Sequence, residues 1–280
     1  MKRLLGISGP RRAIALPALA ASSALLLAGC GSGGGGTASA EGVPLVKAGQ
    51  LTTCTHLPYP PFQSEKDGKV VGFDVSMIDL VAEDLGVQQD VVDTSFETIK
   101  TGADLNARTC DVAAAGMTIT EERKKNLAFS EPYFDATQAL LARKGVEAGS
   151  IEDIKKQKLK LGSQSSTTGE DYARSHGIDS KSFESSDAEL NGLRTGQVDV
   201  IIADYPGVQN WLKNPANAEK FEVSAKLDTG EQYGFAVRKQ GDEKLLKRIN
   251  AAIRKAKEDG TYQKLYEKWI GPMPKGAAAS

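Results

Sequence analysis

From Leu45 onward the chain alternates short apolar runs with amphipathic stretches, a pattern that predicts an α/β architecture. "LTTCT" reads as a strand and "HLPYPPF" as a stiff loop after it. In "GFDVSMIDLVAEDLG", Val75, Ile78, Ala82 and Leu85 fall at helical spacing, with Gly86 where a C-terminal cap belongs. "QQDVVDTSF" is extended, "CDVAAAG" is a second core strand, and "AFSEPYFDATQALLARKG" runs extended to a boundary near Arg143. A new unit follows: helix, strand, loop and helix over "SIEDIKKQKLKLGSQSSTTGEDYARSHG", then helix and strand over "AELNGLRTGQVDVIIAD". The last segment echoes "ADLNARTCDVAAAG" in the first half, which points to two similar lobes. "EQYGFAVRK" is extended and can return the chain to the first lobe. Two helical stripes close the sequence, Leu246, Ile249, Ile253 and Ala256 before Gly260, then Tyr262, Leu265, Tyr266 and Trp269, whose aromatics read as core.

The first 29 residues stand outside this pattern. Lys2, Arg3, Arg11 and Arg12 make a positive front, and the apolar stretch Ala13–Ala28, broken by Pro17, is too short for a membrane span. It reads as an export signal. "LAGC" (Leu27–Cys30) closes it and resembles the bacterial lipobox, which implies cleavage before Cys30 and lipid on its thiol. "GSGGGGTASA" follows as a flexible tether. It matches G-x-G-x-x-G at Gly31, Gly33 and Gly36, but no strand precedes it, so no dinucleotide site is assigned.

Removing the signal leaves 36 acidic residues against 31 basic ones, which makes nucleic acid an unsuitable partner. Cys54 and Cys110 then remain, and an even pair outside the cytoplasm favours a disulfide over a metal site or free thiols.

In parallel α/β sheets, ligands sit beyond the carboxyl ends of the strands. Three such ends carry polar chemistry. "AAAGMTITEERKKN" leaves its strand at Gly116, where a ligand can approach the backbone. Thr118 offers a hydroxyl and an N–H, Thr120 suits an N-cap, and Arg123 presents a fork matched to a carboxylate. Glu121 and Glu122 suit the helix start and point to solvent. In "SQSSTTGEDY", Thr167, Thr168 and Gly169 precede a helix and can aim free N–H groups at an anion. In "VDVIIADYPG", Asp204 ends an apolar strand, where a ligand ammonium is a natural partner. A carboxylate clamp and an ammonium acceptor together describe an α-amino acid. Tyr59, Phe62 and Phe96 are candidates for an apolar wall.

These motifs, in this order from about Leu45 to Gly271, resemble the family-3 solute-binding proteins of polar amino-acid ABC transporters. The resemblance implies a type II periplasmic-binding-protein-like fold: two α/β lobes, each a sheet flanked by helices, joined by two hinge strands and closing on the ligand. The implied division is signal 1–29, anchored linker 30–44, lobe one 45–141 plus 238–272, lobe two 142–237 and a tail 273–280. The resemblance also places the ligand carboxylate on Arg123 beside Gly116 and Thr118, with Thr167 and Thr168 assisting, and the ammonium on Asp204. Tyr59 and Phe96 form the wall, and Phe62 packs beneath. Where several members carry an aspartate that reads the ligand side chain, this chain has His56, and the neighbouring position in lobe two is Gln164. With no acid at either position, a glutamine- or glutamate-like ligand is favoured.

The expected function is capture by a monomer, lipid-anchored to the outer face of the cell membrane, and delivery to an ABC permease with its ATP-binding subunit. No cofactor, metal or catalytic residue is expected: the chain has two histidines and no H-E-x-x-H, G-x-S-x-G or Walker loop. Two alternatives are an enzyme on the same scaffold, such as a dehydratase with His56 as its acid or base, and a sensor module whose closed form engages a receptor.

Overall fold

A computed structural model describes residues 38–274. The expected export signal and the expected lipidation site Cys30 lie outside the described residues, as does the end of the tail. Two five-stranded sheets carry the architecture. In the first, the order is Gln88–Asp93, Gln50–Thr55, Val112–Ala113, Ala236–Arg238, Leu127–Phe129. The first three strands are parallel, and Ala236–Arg238 runs antiparallel to both its neighbours. In the second, the order is Lys181–Phe183, Leu161–Gln164, Val200–Asp204, Gln138–Arg143, Phe221–Leu227. Again three strands are parallel and Gln138–Arg143 is antiparallel to both neighbours. The two sheets therefore share one plan. The echoed segments occupy equivalent places in it, with the helices Ala103–Asn106 and Ser186–Arg194 each leading into the third parallel strand.

Both sheets are covered on both faces, as apolar strands flanked by crossover helices require. Alternation within single strands shows this directly. Ala139, Leu141 and Ile201 join Leu190, Leu193, Val208 and Trp211 on one face of the second sheet. Leu140, Ala142, Val200 and Ile202 join Ile151, Ile154 and Ala173 on the other. In the first sheet, the helix Phe73–Asp84 buries Val75, Ile78 and Ala82, and Gly86 just beyond it takes a left-handed φ of 66°. The long helix Glu243–Glu258 packs on the same face through Leu245, Ile249, Ile253 and Ala256. Tyr262 is buried there too, with Leu265, Tyr266 and Trp269 packed at the margin. Each large apolar side chain buried this way contributes about 1.5–3 kcal/mol. Under the opposite face, Cys54 and Cys110 are joined by a disulfide with their Cα atoms 5.6 Å apart, packed among Phe96, Ile99, Leu105 and Met117.

Two features correct the expected boundaries. The chain crosses between the sheets through Phe134–Asp135 and returns through Gln232–Tyr233, which pair antiparallel. These crossings precede the expected limits at 141 and 237, because Gln138–Arg143 belongs wholly to the second sheet and Ala236–Arg238 to the first. The expected linker, 30–44, also ends earlier. Ala38–Ala40 pairs with Val43–Leu45, and Val43 and Leu45 are buried, so the core begins at this hairpin's second strand.

Candidate functional site

The cleft is built where the carboxyl ends of strands from both sheets converge. All ten residues expected to contact ligand (His56, Tyr59, Phe96, Gly116, Thr118, Arg123, Gln164, Thr167, Thr168 and Asp204) line one cavity. Phe62 does not; it is fully buried beneath the cleft, with its ring stacked on Tyr59.

Gly116 follows the strand Val112–Ala113 with φ +54°. A Cβ there would lie 2.7 Å from Tyr59 Cε1, so the backbone conformation and the close approach both require glycine. The Gly116 N–H donates to Asp74 Oδ2 at 2.7 Å, and the Tyr133 hydroxyl donates to Asp74 Oδ1 at 2.6 Å. Asp74 is fully buried, and burial raises its pKa to about 6 against those two hydrogen bonds. This carboxyl therefore fixes the loop from behind.

Four residues after Gly116, Thr120 caps the short helix Glu121–Lys124 by accepting from the Arg123 N–H at 3.1 Å. Glu121 and Glu122 turn outward and pair with Lys124 and Lys125. Arg123 turns inward and is 6% exposed. Its Nη1 donates to the Thr118 carbonyl at 2.8 Å and its Nη2 to the Ser166 carbonyl at 3.3 Å, while its guanidinium lies 5.4 Å from the Phe96 ring centroid. Both donors thus rest on carbonyls rather than carboxylates. Burial lowers the guanidinium from its ordinary value, with the Asp204 charge acting in the opposite direction.

The second lobe answers across the gap. Thr167 caps the helix Thr168–Ser175, and its hydroxyl donates to the Gln164 carbonyl at 2.8 Å. Thr168 Oγ1 accepts from Gln138 Nε2 at 3.1 Å and lies 3.5 Å from Thr118 Oγ1. Asp204 ends its strand with Oδ1 accepting from Gln138 Nε2 and Oδ2 accepting from the Tyr233 hydroxyl and, at 3.4 Å, from the Tyr59 hydroxyl. Burial raises its pKa to about 6. The Tyr233 hydrogen bond opposes that, the Glu231 charge adds to it, and Gln138 and Arg123 also oppose it. The lobes are closed: Ser186 Oγ donates to the Pro58 carbonyl at 2.9 Å, and Ser166 Oγ to Glu97.

His56 Nδ1 donates to the Thr94 carbonyl at 2.9 Å, and its buried Nε2 has no partner; the residue lines the cleft. Gln164 ends the strand Leu161–Gln164 and lines the same cleft.

The sequence reading missed Gln63, Gln138, Ser186, Trp211 and Glu189, which also line the cleft. Glu189 changes the argument most. Neither His56 nor Gln164 is an acid, but the cleft holds one elsewhere: Glu189, on the helix Ser186–Arg194, is 1% exposed with its Oε1 unpartnered. Its spacing relative to Leu190 and Leu193 is that of any acid at the edge of an apolar helical stripe, so it carries no local signal.

Two α/β lobes closed over a cleft at their strand ends define the type II periplasmic-binding fold. Residues 51–272 match the family described as bacterial extracellular solute-binding proteins, family 3, and the chain belongs to that family. It is 33% identical to a "Probable histidine-binding protein" of Neisseria gonorrhoeae, over 91% of this chain and 94% of that one. It is 31% identical to the ABC transporter glutamine-binding protein GlnH of Bacillus subtilis, over 94% and 99%. Among solved structures, an ancestral arginine-binding protein bound to glutamine superposes with a TM-score of 0.74 at 38% identity, covering 80% of this chain and 99% of that one. All three are named as binding proteins.

Proposed function

We propose that this chain captures a polar α-amino acid by closure of its lobes and delivers it to an ABC permease and its ATP-binding subunit. The observation that carries this reading is the placement of Arg123 and Asp204, one from each lobe, in the wall of a single cleft. A zwitterion brings a carboxylate to the guanidinium whose donors now rest on carbonyls, and an ammonium to the buried aspartate. Thr118, Thr167 and Thr168 supply hydroxyl and N–H groups beside the carboxylate, Gly116 admits it to the backbone, and Tyr59 and Phe96 cover the aliphatic stem. Opening and closing turn on the two crossing segments. The protein acts without a cofactor, as a monomer held at the outer face of the membrane by lipid on Cys30. Of the two side-chain types favoured by the sequence, glutamine brings N–H donors and glutamate does not.

A thermal-shift screen of the twenty amino acids tests the reading, since a ligand at 100 times its Kd stabilises by about 2.7 kcal/mol. Arg123→Ala is expected to abolish the shift for every amino acid. A wild-type protein that none of them stabilises would remove the proposal. Glu189 gives the enzyme alternative a buried acid in the cleft besides His56, and recovery of the bound amino acid unchanged after prolonged incubation would exclude that alternative.

A further inference from the structure

Among the described residues, five buried side-chain atoms lack a hydrogen-bond partner, and four of them belong to residues lining the cleft: His56 Nε2, Gln63 Oε1, Gln138 Oε1 and Glu189 Oε1. Folded proteins seldom leave such atoms unpaired, so their concentration here marks positions that a ligand completes. With the imidazole neutral and the Glu189 carboxyl ionised, all four are acceptors. Gln138 belongs with Asp204, to which its amide donates. His56, Gln63 and Glu189 form a second set. Gln63 Nε2 reaches the His56 carbonyl at 3.4 Å, and the helix bearing Glu189 is tied to the same loop through Ser186 and the Pro58 carbonyl. The His56 ring spends its proton on Thr94, so in its neutral form it faces the cleft as an acceptor too.

Charge points the same way. Among the described residues, the cleft lining holds one fixed cation, Arg123, and two acids, Asp204 and Glu189. The main-chain groups of an α-amino acid pair with Arg123 and Asp204 and leave Glu189 without a counter-charge. The complementary ligand therefore carries one further positive charge. We propose that Glu189, with His56 and Gln63 lining the same cleft, is the residue that reads the ligand side chain, selecting amino acids that end in N–H donors, the cationic ones first, over those that end in a carboxylate. This rests on the reading that the ligand is an α-amino acid. In the closed, ligand-free cleft burial pushes the Glu189 carboxyl well above the ordinary range, Asp204 adds to this, and the Gln164 backbone N–H opposes it, so its charged form requires a cation beside it. Such an acid is best accommodated when a cation arrives.

Calorimetric titration of wild type and Glu189→Gln with arginine, its neutral isostere citrulline, lysine, glutamine and glutamate tests the assignment. Truncating one member of a buried charge pair costs enough to change affinity by at least about 30-fold. Wild type is expected to bind arginine or lysine tightest, to prefer arginine to citrulline by at least about that factor, and to bind glutamate weakest. In Glu189→Gln the arginine-to-citrulline preference should collapse toward unity while citrulline and glutamine are retained. Glutamate bound as tightly by wild type as any cation would overturn the assignment and leave amino-acid capture standing, and so would a preference unchanged in the variant. Binding of no amino acid by wild type would overturn both. The wild-type arginine-to-citrulline ratio decides the matter even where the variant folds poorly.

Discussion

Replacing Asp204 with asparagine separates what the site does for the ligand from what it costs the fold. The carboxyl is enclosed by Gln138, Tyr233 and Tyr59, and burial raises its pKa from 3.8 to about 6. A shift of that size corresponds to about 3 kcal/mol against the ionised form in the closed, empty cleft. Because the folded pKa is raised, the stabilising contribution is full below the unfolded value of 3.8 and is lost as pH rises through about 6. At neutral pH the empty Asp204→Asn protein should therefore be more stable than wild type by up to about 3 kcal/mol, or roughly 6–12 °C in melting temperature. Ligand reverses the order. Removing one partner of a buried, hydrogen-bonded charge pair costs about 3–5 kcal/mol, so the variant should bind roughly 100- to 4,000-fold more weakly. Wild-type affinity should also fall about tenfold for each pH unit below about 6, because the carboxylate must stay ionised to meet an ammonium. Scanning calorimetry of the empty proteins and titration calorimetry between pH 8 and 5 measure both halves. A variant that binds within tenfold of wild type, or a wild-type affinity that is flat across that range, would refute the reasoning.

Gly116→Ala should weaken binding and destabilise the fold by about 1–2 kcal/mol, seen in ligand titration and urea unfolding, because its Cβ meets Tyr59 at 2.7 Å and its φ is +54°. Asp74→Ala strands the Gly116 N–H and the Tyr133 hydroxyl, and urea denaturation should show a loss of about 2–5 kcal/mol, with Asp74→Asn intermediate. Replacing Cys54 and Cys110 together by serine releases a cross-link spanning 56 positions and should lower stability by about 2–4 kcal/mol in the same assay.

Much of the site was legible because its elements follow local rules. Thr120 and Thr167 announce helix starts through capping chemistry, Gly116 marks the end of a strand, and Asp204 is an acid after four apolar-strand positions; none needs a distant partner to be recognised. Glu189 was not legible. In "AELNGLR" it resembles any surface acid on an amphipathic helix, and only the packing of that helix against the Pro58 loop turns it into the cleft. Gln63 and Gln138 were missed for the same reason: an amide inside a loop or strand carries no local sign of what will surround it. The crossing points were misplaced because an extended run does not mark which sheet its residues will join, and hydrogen bonding to Val200–Asp204 and Phe221–Leu227 assigns Gln138–Arg143 to the second.

By itself, then, the sequence determined the α/β class, the doubled plan and the strand-end positions of Arg123 and Asp204, since periodicity, caps and strand ends act over a few residues. Only the tertiary structure decided which polar atoms go unpaired in the closed cleft and what charge it leaves uncompensated. Those properties arise from desolvation, which is a joint effect of side chains far apart in sequence and has no value until the lobes enclose them.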